Sequence, residues 1–146
     1  LELGYGTDPA AALRPRVPVA RPHHRDLSAT ARASASPGVA AAALVDDRGE
    51  TVVALPAGAW VQWDLDRPVR VTDVTLTAAE PVPLGSWGWR GLTDRGWRPL
   101  HPGHAEDLLA DRTTPFRLRE ATPLRAVRLV AHWPVALRQV ELFDLG

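Results

Sequence analysis

The 146 residues suit one domain with a single buried core. Lys plus Arg number 17 against 17 Asp plus Glu, so no net field draws the chain toward nucleic acid or an anionic membrane. The absence of Cys excludes disulfides, thiolate metal centres and cysteine nucleophiles.

In chain order, Leu1–Gly6 reads as a short strand and Thr7-Asp8-Pro9 as a turn. Pro15, Pro18 and Pro22 favour an extended connection up to Arg25. Residues 1–25 are therefore expected to be the tail of a preceding domain plus a Pro-rich linker, with the domain proper at 26–146. A chain that opens on Leu1 and contains no Met is expected to be a fragment of a larger protein. It has no signal-peptide core and no apolar run long enough to span a bilayer. Its cations are all Arg, a bias of the kind GC-rich, for example actinobacterial, coding sequences produce.

From Asp26 the rhythm is that of strands. Leu27–Ala35 alternates small and polar residues and suits an edge strand, Ser36-Pro37-Gly38 turns the chain, and the Ala-rich Val39–Val45 suits one or two helical turns. Trp60–Leu76 alternates apolar and polar residues around Asp66-Arg67-Pro68, which predicts a hairpin of two half-buried strands, Trp60–Asp64 and Val69–Thr77. Further strands are expected at Trp89–Thr93, Phe116–Leu118, Leu124–Ala131 and Ala136–Phe143, with a helical turn at His104–Ala110. Pro and Gly punctuate the gaps, and there is no internal repeat. This spacing predicts an all-β sandwich of two antiparallel sheets.

Four places resemble the coagulation factor 5/8 type C (discoidin) family. They are Ser28–Ala31 with the Ala-rich approach to Asp46-Asp47, the Trp60–Leu76 stretch, the Gly91–Leu100 strand and turn, and Leu124–Val130 with Leu137–Phe143 as paired closing strands. The resemblance covers Leu27–Leu145. It implies a galactose-binding-like jelly roll whose end loops bind sugars, phospholipid head groups or proteins, close in bacteria to carbohydrate-binding module family 32 of secreted glycoside hydrolases.

Sugar recognition needs a flat apolar ring against the C–H face of a pyranose and a few fixed polar groups for its hydroxyls. Six Trp against one Tyr and two Phe is a notable allocation. Trp87, Trp89 and Arg90 follow the turn Leu84-Gly85-Ser86, and one of the two Trp is expected to face the core and the other solvent. His132 and Trp133 form the connection between the last two strands. These five residues are the sugar-binding candidates; Trp60 or Trp63, on opposite faces of one strand, and Trp97 are expected to be packing residues.

The resemblance also implies a structural calcium in the loop after the Ala-rich stretch. Asp46, Asp47 and Thr51, with Gln139 where the family has Glu, offer oxygen ligands of the kind Ca²⁺ takes. The pairs His101/His104 and His23/His24 lack a third ligand at a fixed spacing, so zinc is not expected. No Gly-x-Ser-x-Gly elbow, phosphate loop or recognisable carboxylate pair points to catalysis.

The expected function is a non-catalytic carbohydrate-binding accessory module, the C-terminal part of a secreted or cell-surface bacterial glycoside hydrolase. Its expected partners are a glycan or polysaccharide and the parent catalytic domain. The alternatives are a structural sandwich that packs on the parent domain without binding a ligand, and a protein or cell-envelope adhesion module.

Overall fold

The computed structural model describes residues 26–45, 51–102, 106–119 and 122–145. The expected tail and linker at 1–25 lie outside the described residues. Nine strands form: β1 (Arg32–Ala35), β2 (Val53–Leu55), β3 (Trp60–Arg70), β4 (Asp73–Ala78), β5 (Trp87–Thr93), β6 (Gly96–Leu100), β7 (Thr113–Arg117), β8 (Pro123–Ala131) and β9 (Val135–Phe143). They build a five-stranded sheet in the order β1-β3-β8-β5-β6 and a four-stranded sheet in the order β2-β9-β4-β7, with antiparallel pairing throughout. The expected β-sandwich is what forms. Among the described residues no helix is long and apolar enough to cross a membrane.

One apolar cluster fills the space between the sheets. Val61, Trp63, Trp89, Val127 and Leu129 of the five-stranded sheet join Val74, Leu76, Phe116, Val140 and Leu142 of the other, all buried. Each such side chain removed from water contributes about 1.5–3 kcal/mol. In β3 the alternation works as it reads: Val61 and Trp63 are buried while Trp60, Gln62 and Asp64 are only half-buried. The open side of the sandwich is closed where the Pro102–Leu118 bridge ties the chain after β6 to the end of β7.

Several local expectations differ from the structure. Trp60–Leu76 is not a hairpin: β3 pairs with β1 and β8, β4 with β7 and β9, so the chain crosses from one sheet to the other at Val71-Thr72. Asp66-Arg67-Pro68 does not turn the chain but falls where the β3–β8 register shifts, between Asp64 and Val69. The closing strands β8 and β9 likewise belong to opposite sheets. An alternating pattern fixes which face is buried but not which strand is the partner. Leu27–Ala29 is a 3-10 turn, capped by Asp26 accepting from Ser28 N, and the edge strand is confined to Arg32–Ala35. Residues 41–45 form a second 3-10 turn within the Ala-rich segment. The strands β2 and β6 were not expected. Of His104–Ala110, the described part carries no helix, and Leu108 instead bridges to Val82.

Candidate functional site

β6 ends at Leu100, opposite Trp89, but β5 begins two residues earlier. Trp87 and Gly88 therefore lie on a stretch of β5 that β6 does not cover. There a cleft of about 430 Å³ opens, lined by Trp87, Gly88, Trp89, Arg90 and His132 together with Leu84, Leu100, His101, Pro102 and Phe116. Its volume and mainly apolar lining with a few polar groups are those of a small-ligand site.

Trp87 is half-buried and meets Phe116 of the other sheet edge-on, with centroids 5.9 Å apart and planes at 61°. That contact holds the indole across the mouth of the sandwich. Trp89 is buried to 3% exposure and tilts against Trp63 at 6.4 Å, so it floors the cleft and offers no open face. The expectation that these two Trp face opposite ways is corrected. Residues two apart on a strand share a side, and both rings lie toward the core.

The connection after β8 is fastened by the carbonyl of Ser86, which accepts from His132 N at 2.8 Å and Trp133 N at 3.3 Å. Gly88 then makes room for the imidazole, since a Cβ there would stand 2.9 Å from His132 Nε2. His132 and Arg90 are exposed, so their donors face the cleft from solvent. Trp133, 67% exposed at the tip between β8 and β9, stands outside the lining. Four of the five sugar-binding candidates thus come together, and Trp133 does not join them. His101 and Phe116 line the same cleft; sequence reasoning missed them because neither is near Trp87 along the chain.

Of the calcium candidates, Asp46 and Asp47 lie outside the described residues, as do His104, His23 and His24. Thr51 lies two residues before β2 and Gln139 lies on its partner strand β9, and the two offer neutral oxygens only. Among the described residues no three His, Asp or Glu are grouped to hold a metal.

A second feature was not legible in the sequence. On the outer face of the five-stranded sheet the Arg128 guanidinium lies 4.5 Å from the Trp60 ring centroid and 4.6 Å from that of Trp97. Its Nε and Nη2 both donate to Gln62 Oε1, at 2.9 and 2.5 Å, and Gln62 Nε2 donates to Asp64 at 2.8 Å. This stack occupies Trp60 and Trp97; of Trp60 and Trp63, it is Trp63 that fills the core.

No family model and no curated relative matches the chain. Solved structures do. The F5/8 type C domain of a Bacteroides fragilis protein superposes with a TM-score of 0.64 at 11% identity, over 85% of this chain and 98% of that one. The family 32 carbohydrate-binding module of C. perfringens NanJ in complex with galactose gives 0.62 at 8%, over 83% and 99%. Truncated AlyQ, with CBM32 and alginate lyase domains, gives 0.67 at 15% over 84% of this chain. The chain spans only 34% of truncated AlyQ and 28% of SpGH29, another structural match. The structural neighbours include carbohydrate-binding modules, some joined to catalytic domains. The chain has the discoidin, galactose-binding-like fold.

Proposed function

We propose that this domain is a non-catalytic carbohydrate-binding module that tethers a secreted or cell-surface bacterial glycoside hydrolase to its glycan. The observation that carries the reading is the cleft beside the uncovered start of β5, where Trp87 offers an aromatic wall and Arg90, His101 and His132 offer hydroxyl partners. The galactose complex of NanJ and the lyase-linked module of AlyQ support it as likenesses of fold. Affinity in such a shallow site is expected at high micromolar to millimolar Kd, roughly −4 to −6 kcal/mol. A glycan-array screen of the chain, with and without calcium, tests it; a saturable hit that perturbs Trp emission is the expected result, and silence from a cooperatively folded domain overturns it.

A second reading has an observation of its own. Trp133 and Leu84 are both large apolar side chains left exposed, at 67% and 55%. Such residues suit packing on a parent catalytic domain or an adhesion partner in place of a sugar. Structural calcium between the 46–50 segment and Gln139 is part of the proposal, with Asp46, Asp47 and Thr51 as the further ligands.

A further inference from the structure

The β5–β6 hairpin turns at Asp94-Arg95, with Gly96 at φ 100°. Beside it, toward the end of the sandwich where β8 begins, lies a second cleft of about 630 Å³. Arg95, Arg98 and Arg119 line it, with Asp94 the one carboxylate among its described lining residues. Among the described residues no carboxylate pairs with any of these three guanidinium groups. Arg70, Arg117 and Arg138 have acidic partners; what sets Arg95, Arg98 and Arg119 apart is that they converge on one cleft.

An inward-facing charge on an edge strand can serve simply to discourage pairing with another chain, and Arg98 with Pro99 on β6 suits that role. It does not account for Arg95 on the hairpin tip or Arg119 beyond β7, which converge on the same space from other elements. Arg119 is held there by its own backbone N donating to His101 O at 2.8 Å. The planar fork of a guanidinium matches the paired oxygens of a carboxylate or sulfate, and three of them around one cleft favour an oxyanion over a neutral hydroxyl.

This cleft adjoins the Trp87 cleft, and both are bordered by Pro99, Leu100 and His101. We propose that the two form one binding groove, in which Arg95, Arg98 and Arg119 take the carboxylate or sulfate of an acidic saccharide whose neighbouring unit lies against Trp87. The inference rests on the glycan-binding reading and narrows it to an acidic glycan.

The test is calorimetric titration of the whole chain with trigalacturonic acid, its fully methyl-esterified form, galactose and galactose 4-sulfate. The acid is expected to bind about tenfold more tightly than its ester, and a matching gain of the sulfate over galactose would make the site a general oxyanion site; without that gain it is a carboxylate site. The preference should shrink in high salt. In Arg98→Gln/Arg119→Gln, checked for folding by thermal melt, it should fall below about twofold while the ester binds as before. Arg95→Gln, on the exposed turn, gives the same readout if the double variant does not fold. Equal binding of acid and ester, or a preference that survives in the variants, overturns the inference. Trp87-dependent binding of ester and galactose without charge preference leaves the glycan reading standing; no binding of any of the four ligands overturns the inference, and the array screen then decides the glycan reading.

Discussion

Replacing Arg128 by Met removes the guanidinium from between Trp60 and Trp97 while keeping an unbranched side chain against both rings. Two cation–π contacts at partly exposed sites contribute about 0.5–1 kcal/mol each. The donors at 2.9 and 2.5 Å share one acceptor, Gln62 Oε1, and so count as one charge-assisted interaction, about 1.5–3 kcal/mol. These terms are not additive. The half-exposed Gln62 can rehydrate when its partner is lost, and Met retains some packing. The expected loss is about 2–3 kcal/mol, a fall in Tm on the order of 10 °C for a domain this size. Arg128→Lys, which keeps the charge but not the planar fork, should recover less than half of it. Denaturant unfolding followed by Trp fluorescence measures both. An Arg128→Met variant within about 0.5 kcal/mol of the parent would refute the argument that the stack is a structural unit of the outer sheet face.

Gly88→Ala puts a methyl where the far end of the exposed His132 ring now lies, so the ring should swing away at little cost to folding. Stability should stay within about 1 kcal/mol, while affinity for an array-selected sugar falls about fivefold, a hydrogen bond's worth, measured by melt and titration. Trp63→Ala empties the centre of the core and should cost about 3–5 kcal/mol, read from urea unfolding. If the 46–50 segment and Gln139 hold calcium, EDTA should lower Tm, millimolar Ca²⁺ should restore it, and Asp46→Asn/Asp47→Asn should abolish the response.

The strands that alternate strictly were legible because one face of each meets the core: Val61 and Trp63 inward, Trp60 and Gln62 outward, as the pattern reads. Partnership was not, since nothing in Trp60–Leu76 says that β3 and β4 join different sheets. β6 was hidden by Pro99, which lowers strand propensity but is tolerated on an edge, where a missing N–H breaks no ladder. Pro115 sits likewise in β7, the edge of the other sheet. Of the site, the residues close together in sequence, Trp87 to Arg90 and His132, were readable from turn chemistry and ring type. Phe116 and His101 were not, because they reach the cleft through the closure of the sandwich at Pro102–Leu118. Arg128 between its two Trp was invisible for the same reason: cross-strand neighbours are set by register.

The central claim is that a sugar ring lies against Trp87. Its most direct test is fluorescence titration of the parent, Trp87→Ala and Trp133→Ala with the best array ligand, each variant first shown to unfold cooperatively. The geometry predicts saturable binding by the parent, loss of binding in Trp87→Ala, and an affinity in Trp133→Ala within about twofold of the parent. Parental binding by Trp87→Ala, or no binding by the folded parent, would contradict it.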